Sequence, residues 1–581
     1  MSIEVMKSFG GISAVTEAET VDNKPVFGID LGTTNSAISV IQEGTVPVSI
    51  LLKGKKLTMP SCVMWHHGKF IVGREAYEHR EQENVIYSVK RHMQSATAKV
   101  KFIDGNDKLE LTPAEVSAEI LKGLVAETGG FYGEIKDVVV TVPAYFNQIG
   151  RDNTRKACQL AGLNPISIIN EPTAASLCYD LDTEGGSTEV VVYDLGGGTF
   201  DITIAKITST EGSANIDDIY GLSGDSSTED GKSVNVIATA GDSKLGGDDL
   251  DLALYVTVCN KLRDQGINPG LFSQSYREGL ILRLEHLKKT DIYGMYDMNI
   301  NTIGVDGREI TACVRLIPDD FQKATEVIYK RTKRLLTKVL KENNTTAKDL
   351  VLVGGSTKNP LLQELLNRDF PQFAISNALN PDLSVSDGAA IHGKSVKFGD
   401  ANVTVFDILP ITIGILDNGR ISPIIKYGSC LPVAESKMFT TTRDDQKNLT
   451  VRIFQGNSTY PEECIELGEL TITDINPQPA GKPNLIITVS ISADSMMICE
   501  ASIDGKRQTL TLNLAGETTS QVSELTRAEK SVIKWRRLAQ KCMDENQREK
   551  LLVAIDDYAV NSDASNKAKV LALVKEISSE G

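Results

Sequence analysis

The pattern of hydrophobic and polar residues changes along the chain. Up to about residue 402, apolar runs end in glycine or proline turns, and several of them lead into helical patterns. From Asp407 to about residue 516, short alternating apolar and polar runs are separated by Gly, Pro and Asn, which predicts a β-sandwich. After Glu524, apolar residues recur every three or four positions, which predicts a small helical bundle. A chain of 581 residues with this pattern should hold several domains.

Residues 190–206 read as a strand, a glycine turn and a second strand. Gly196, Gly197 and Gly198 carry no side chains, so the backbone N–H groups of this turn can approach a phosphate. The carboxylates of Asp194 and Asp201 flank the turn and suit a metal-bound polyphosphate. The alternative interpretation is a β-hairpin with a loose turn.

Two other segments support the phosphate interpretation. Residues 26–36 repeat the apolar strand and the Asp-Leu-Gly sequence, with Asp30 followed by Gly32 and two threonines. Residues 350–360 place Gly354 and Gly355 between a strand and a helix, where glycine turns and helix N-termini both favour anions. Two Asp-Leu-Gly hairpins in one chain indicate two similar lobes that face each other.

The order of these motifs, with INEPTAA at residues 169–175, matches neither a Walker loop nor GxGxxG. It resembles the heat-shock protein 70 (DnaK-type) chaperone family, in a form with a shortened C-terminal lid. The resemblance implies a multidomain chain: an actin-like, two-lobed α/β ATPase domain, a β-sandwich peptide-binding domain and a short α-helical bundle. The implied boundaries are an N-terminal extension at 1–24, the nucleotide-binding domain at 25–402 (lobe I about 25–206 and 383–402, lobe II about 207–382), a linker at 403–407, the sandwich at 408–516 and the lid at 523–581.

The resemblance also implies that ATP or ADP binds between the two lobes with Mg²⁺, and it allows K⁺ beside the phosphates. Asp30 and Asp194 would hold the magnesium through water. Lys90, Glu171 and Thr199 would position the attacking water, with Asp201 assisting. Residues implied to bind the nucleotide are Gly32, Thr33, Thr34, Asn35, Gly196, Gly197, Gly198, Gly246, Gly247, Glu285, Lys288, Lys289, Gly354, Gly355, Ser356, Lys358 and Asp382.

Each of these assignments has a plainer alternative. Taken alone, Lys90 reads as a solvated surface lysine and Glu171 as an acid near the dipole of a helix N-terminus. The segment with Glu285, Lys288 and Lys289 reads as an ordinary amphipathic helix.

The resemblance places a peptide-binding pocket in the sandwich and a relay between the domains. The implied pocket residues, which could equally be sandwich core, are Ile415, Phe439, Thr442, Leu449 and Val451. The implied relay residues are Pro143, Arg151 and Asp407.

The chain departs from the family pattern at several positions. Ser167 stands where the family carries an arginine that helps engage J-domain partners, which argues against ordinary J-domain coupling. Lys289 and Lys358 stand where arginine is common, and Ile292 replaces a small polar residue, so we expect weaker stacking on adenine. Residues 208–233 read as a solvated insertion.

Charge and cysteine content narrow the possible partners. A net charge of −16 argues against nucleic-acid binding. The nine cysteines include no CxxC pair, which favours reduced thiols in the cytoplasm over disulfides or a zinc site. The sequence contains no run of eighteen apolar residues, so it predicts no membrane span. The first residues fit neither a secretory signal nor a transit peptide.

The sequence therefore predicts an ATP-dependent chaperone with slow turnover. It would bind extended apolar segments of unfolded clients, with an affinity switched by ATP hydrolysis, and would work with a nucleotide-exchange factor. The main alternative is an ATP-binding, weakly cycling regulator or exchange partner of another chaperone. A small-molecule kinase of the actin-like superfamily is disfavoured by the sandwich and the linker.

Overall fold

The computed structural model describes most of the chain up to residue 514 and short helical pieces after it. The described residues are 24–42, 46–179, 186–210, 231–376, 379–398, 403–417, 419–473, 475–483, 485–503, 506–510, 513–514, 550–551, 554, 567 and 569–574. Residues 1–23 of the predicted N-terminal extension lie outside this part of the chain, as do most of the 208–233 insertion and most of the predicted lid.

The first large sheet is built around the first Asp-Leu-Gly hairpin. Its order is β11-β10-β1-β2-β3, with β4 paired to β2. The hairpin strands β1 and β2 are antiparallel, whereas β10 and β11 run parallel to β1. The strands are β1 (Phe27–Asp30), β2 (Asn35–Val40), β3 (Val48–Ser49), β4 (Met59–Pro60), β10 (Asp137–Val142) and β11 (Asn164–Asn170).

The second large sheet repeats this arrangement around the second Asp-Leu-Gly hairpin. Its order is β18-β17-β12-β13-β14-β19. Strands β12 and β13 are antiparallel, β17 and β18 are parallel to β12, and β14 is antiparallel to β13. The strands are β12 (Ser187–Leu195), β13 (Phe200–Thr210), β14 (Gly231–Asp242), β17 (Asp349–Val353), β18 (Ala374–Ser376) and β19 (Val403–Phe406).

The second sheet begins at Ser187, ahead of residue 207, where the sequence placed the start of lobe II. The reason is long-range pairing, because β12 aligns with Asp349–Val353. Strand β19, in the predicted linker, adds to the far edge of this sheet in parallel with β14.

Two helices fill the space between the sheets. The helices Glu171–Leu177 and Ser384–Phe398 contact each other, and the second also contacts β1 and β10. Their small residues, such as Ala174 and Ala389, share one buried cluster with the valines of both sheets, including Val139 and Val192. The apolar runs read from the sequence therefore form a continuous core that joins the two lobes.

The remaining elements of the two lobes surround the sheets. The helices are Arg74–Tyr77, Pro113–Glu127, Gln148–Leu160, Gly247–Asp264, Gln274–Thr290, Pro318–Asn343 and Pro360–Asp369, with 3₁₀ turns at Val89–His92, Pro269–Leu271 and Gly355–Lys358. Smaller sheets are formed by β5 (Cys62–His66), β6 (Lys69–Val72) and β7 (Val85–Tyr87), by β8 (Val100–Asp104) and β9 (Asp107–Leu111), and by β15 (Tyr296–Ile303) and β16 (Glu309–Leu316).

The alternating pattern after Asp407 forms two packed antiparallel sheets. Their orders are β21-β20-β23-β24-β28 and β22-β25-β26-β27. One buried cluster takes side chains from both sheets, for example Ile453 and Val489. The strands are β20 (Ile413–Asp417), β21 (Arg420–Ile425), β22 (Val433–Phe439), β23 (Leu449–Gln455), β24 (Ile465–Ile472), β25 (Leu485–Ile491), β26 (Met497–Ile503), β27 (Lys506–Leu510) and β28 (Asn513–Leu514), with a 3₁₀ turn at Pro461–Glu463.

Within the described ranges, the helices are all too short or too polar to cross a membrane. The cysteines in the same ranges are free thiols, most of them buried or half-buried.

Candidate functional site

A cavity of about 590 Å³ opens between the two glycine hairpins. Its wall contains most of the residues predicted to bind the nucleotide or its metal ion. They are Asp30, Gly32, Thr33, Thr34, Asn35, Lys90, Glu171, Asp194, Gly196, Gly197, Thr199, Glu285, Lys288, Lys289, Gly354, Gly355, Ser356, Lys358 and Asp382.

Four predicted residues lie behind this wall and shape it. The backbone N–H of Gly247 donates to the carbonyl of Gly196 at 3.0 Å, so the start of the helix Gly247–Asp264 is fixed against the second glycine turn. Gly198 and Gly246 are buried at the same junction. Asp201 is buried and accepts the N–H of Tyr145 at 3.2 Å.

The glycine turns approach one another too closely for side chains. A Cβ placed on Gly197 would collide with the hydroxyl of Thr34 in the opposite hairpin. A Cβ on Gly246 would lie 2.5 Å from the backbone nitrogen of Gly198. These positions require glycine because neighbouring backbone and side-chain atoms occupy the space that a side chain would need.

One buried ion pair lies at the centre of the cavity wall. The ammonium of Lys90 contacts the carboxylate of Glu171, and both side chains are almost fully buried. Lys90 lies on the 3₁₀ turn Val89–His92 of the first lobe, and Glu171 begins the helix Glu171–Leu177. The surface-lysine alternative for Lys90 is wrong because its side chain is buried, whereas Glu171 does lie at a helix start and in addition pairs with Lys90.

Three further carboxylates converge on this pair. Burial and the charge of Glu171 raise the pKa of Asp30 to about 7 and that of Asp194 well above its usual range. Burial and Glu171 likewise raise the pKa of Asp201 to about 7. Four acids facing one lysine make an electronegative centre, and such oxygen-rich groups fit a hydrated Mg²⁺ ion.

The other end of the cavity contains the predicted adenine residues. Glu285 receives Arg80 on one side and Lys289, at 2.6 Å, on the other. Burial alone would raise the pKa of Glu285, but these two cations hold it at about 2. Lys288 forms an ion pair with Asp251 instead, and Lys358 forms one with Asp382.

Polar contacts across the cleft join the two lobes, and sequence reasoning missed them. Besides the Arg80–Glu285 pair, Tyr87 donates to Glu278 at 2.6 Å, and Ser88 donates to Asp248 at 2.9 Å. Arg91 donates to Asp249 at 2.7 Å. The sequence GDD after Gly246 could have predicted part of this contact, because Asp248 and Asp249 lie at a helix start and carry charges that attract a cation such as Arg91. Other lining residues that were missed are Thr58, Asp248, Leu250, Thr290, Asp291, Tyr293, Asn359, Pro360, Pro381 and Val385.

A polar chain leads from the site to the predicted linker. The guanidinium of Arg151 donates to Asn170 Oδ1 at 2.6 Å, and Asn170 Nδ2 donates to the Asp407 carboxylate at 2.8 Å. Asp407 also accepts Thr173 Oγ1 at 3.0 Å and the N–H of Ile408 at 2.8 Å. Asn170 immediately precedes Glu171, so this chain starts one residue from the central ion pair.

The sandwich packs directly on the first lobe. The N–H of Gln148 donates to Gln455 Oε1 at 2.7 Å, and Ile149 inserts into the sandwich core. Arg155 forms an ion pair with Asp494 at 3.0 Å. Pro143 ends β10 just before this contact region and is buried. The helix Gln148–Leu160 is therefore the docking surface of the first lobe.

The predicted peptide-pocket residues fall into two groups. Ile415 and Val451 lie in the sandwich core, and Phe439 and Leu449 pack against it from partly exposed positions. Thr442 is exposed after β22, where Gln446 accepts its N–H at 3.1 Å. Their use in peptide binding stays a prediction.

Ser167 occupies a neutral pocket at the start of the docking region. It lies on β11, is buried, and shares a hydrogen bond of 3.1 Å with His392 Nε2. Burial lowers the pKa of His392 to about 4, against the opposing charge of Asp494. The imidazole is therefore neutral in the docked structure at neutral pH.

Comparison with known proteins gives one consistent result. The family model described as "Hsp70 protein" matches residues 26–221 and 226–578. The chain is 34% identical over 508 residues to the chaperone protein DnaK of Mycoplasmoides gallisepticum, covering 85% of this chain and 82% of that protein. It is 30% identical over 578 residues to the chaperone protein DnaK of Thermotoga neapolitana, covering 95% and 92%. The DnaK of Mycoplasma mobile is 33% identical over 514 residues, covering 86% and 80%.

Proposed function

Because the chain belongs to the Hsp70 family, whose members are ATP-dependent chaperones and ATPases, we propose that the cavity between the two hairpins is its ATP-hydrolysing site. The observation that carries this assignment is the buried Lys90–Glu171 pair among three converging carboxylates, at the meeting point of the glycine turns. The expectation of an ATP-dependent chaperone is confirmed, and the regulator alternative is not favoured.

We propose for the central residues the roles that the family resemblance implies. Asp30 and Asp194 would hold Mg²⁺, and the ion would supply positive charge that neutralises the phosphates. Lys90, fixed by Glu171, orients the attacking water, and Thr199 lies in the wall beside it. Asp201, which lies behind the cavity wall, would help to position the attacking water. Phosphoryl transfer depends mainly on such positioning and charge. Potassium beside the phosphates stays a prediction.

We propose that the docked arrangement is the state in which the sandwich releases peptide readily. The linker strand pairs with the second lobe while the sandwich contacts the first lobe. Because the linker and the sandwich are joined covalently, we expect a movement of one lobe against the other to disturb at least one of these contacts. Hydrolysis would undock the sandwich and trap an extended apolar client segment, which is a coupling free energy between two sites.

The partners follow from the same reasoning. Clients are unfolded or extended polypeptides, and the family works generally with J-domain and nucleotide-exchange partners. The Ser167 side chain is uncharged. We therefore expect a J-domain contact to use a cation on the docking helix Gln148–Leu160, such as Arg155. The free thiols support a reducing compartment such as the cytoplasm.

Steady-state ATP hydrolysis with and without an extended apolar peptide tests the proposal. We expect slow turnover that peptide accelerates and that Thr199→Ala abolishes while ATP still binds. Thr257→Ala, which removes a hydroxyl from a helix outside the cavity, serves as the matched control and should hydrolyse normally. Turnover that is indifferent to peptide, or unchanged in Thr199→Ala, would refute the assignment.

A further inference from the structure

Two adjacent histidines and an aspartate meet on the outer face of the first lobe, away from the ATP site. His66 ends β5, and His67 is the first residue of the turn to β6. Asp104 ends β8 in a neighbouring hairpin. Ligand atoms of the three side chains all lie within 4.8 Å of one another. None of the three lines the ATP cavity.

The spacing of these groups suits a metal ion. His66 Nδ1 lies 3.2 Å from Asp104 Oδ2, and without an ion the two side chains share a hydrogen bond. Two ligands bound tetrahedrally at about 2.0–2.1 Å from zinc are about 3.4 Å apart, which is close to this separation. The two imidazole rings lie 4.0 Å apart between centroids, so both ring systems are close to the Asp104 carboxylate.

The backbone holds the cluster in a defined position. The N–H of His67 donates to Asp104 at 2.9 Å, which ties the two hairpins together and lowers the pKa of Asp104. His67 has φ of +49° and Gly68 has φ of +74°, the geometry of a two-residue hairpin turn that favours Asn-Gly. Histidine is among the non-glycine residues that most often adopt this left-handed conformation, so the turn can hold His67 beside Asp104.

We propose that His66, His67 and Asp104 form a surface site for a divalent transition-metal ion of the zinc class. Imidazole nitrogens select zinc, cobalt, nickel or copper over magnesium and calcium, so this site would not compete for the nucleotide's magnesium. Three protein ligands leave a position for water. Since the site uses no cysteine, the absence of CxxC pairs in the sequence does not argue against it.

The bound ion would cross-link β5–β6 to β8–β9 and so stabilise the outer part of the first lobe. Stabilisation follows from binding to the folded state alone and grows with ion concentration.

The test is calorimetric titration of Zn²⁺ into the nucleotide-free full-length protein. His67→Asn keeps a residue that tolerates the turn and removes a ligand, so we expect its zinc affinity to fall about tenfold or more. Asp104→Asn should weaken binding in the same way. His286→Gln removes an exposed histidine from a distant helix and should bind zinc like the unchanged protein.

Cobalt provides a second readout that excludes the exposed thiols as the ligands. Titrated Co²⁺ should give d–d absorption without a sulfur-to-metal charge-transfer band, and His67→Asn should lose that absorption. The proposal is overturned if His67→Asn and Asp104→Asn keep the unchanged protein's zinc affinity, or if the cobalt spectrum shows thiolate ligation that survives both substitutions.

Discussion

Replacing Asp407 with alanine should uncouple the sandwich from the ATP site. The Asp407 carboxylate is buried and accepts hydrogen bonds from Asn170, Thr173 and the N–H of Ile408. Burial raises its pKa, and the positive charge of Arg151 opposes that rise. We expect these groups to reach water when the sandwich undocks, and the substitution should then penalise mainly the docked state.

The size of the effect follows from the contacts. A buried donor left without its acceptor costs about 1–3 kcal/mol, and Asn170 and Thr173 would both lose theirs. Water entering the vacated space recovers part of this, so we take a loss of about 3 kcal/mol from the docked state. At about 1.4 kcal/mol per factor of ten, the docking equilibrium shifts about a hundredfold toward the undocked form.

The assay is the release rate of a fluorescent apolar peptide after ATP is added. We expect ATP to accelerate release in the unchanged protein and to have little effect in Asp407→Ala, although ATP affinity stays the same. Asp417→Ala is the control, because its carboxylate is half exposed on β20 of the sandwich. If Asp407→Ala keeps ATP-accelerated release within about threefold of the unchanged protein, the polar chain does not carry the coupling.

Three other changes test separate contacts. Gly246→Ala should lower ATP affinity at least about tenfold in a nucleotide titration, because the added Cβ collides with the glycine turn. Gly279→Ala is the control and should bind ATP normally, because the nearest atom to its Cβ lies 4.0 Å away. Burial lowers the pKa of His392 to about 4. The neutral imidazole therefore contributes its full stabilisation of the fold above about pH 6.5, and this stabilisation is lost as the pH falls toward 4. His392→Gln should show a smaller drop in denaturation midpoint over that range. Tyr427→Phe removes a hydrogen bond to the Thr239 carbonyl across the domain contact, so it should weaken docking by about 0.5–1.5 kcal/mol and slow ATP-triggered peptide release; an unchanged rate would show that this bond is dispensable.

The residues that we propose bind phosphate could be predicted to lie together because their sequence pattern is local. Gly196, Gly197 and Asp194 lie within four positions, and the same short pattern recurs at Asp30. A turn that admits a phosphate needs small residues and a nearby acid, and both are visible in a short window of sequence. The cavity wall contains these residues as the pattern indicated.

The contacts that close the cleft could not be predicted, because their partners are far apart in the chain. Arg80 and Glu285 are separated by 205 positions, and Ser88 and Asp248 by 160. The periodic pattern of apolar residues in the sequence does not indicate which distant residues will form contacts. The same limit explains the lobe boundary, since only the pairing of β12 with β17 shows that the second sheet begins at Ser187.

The geometry of the linker suggests why a small change at the phosphates can move a whole domain. Glu171 faces Lys90 in the ATP site, and the preceding residue, Asn170, bonds both Arg151 and Asp407. These polar groups are buried, so a shift of Glu171 cannot be absorbed by solvent and must be met by rearranged hydrogen bonds. We expect a second satisfied arrangement in which Asp407 is undocked and bonds water. If both arrangements exist, the linker acts as a switch and not as a passive tether.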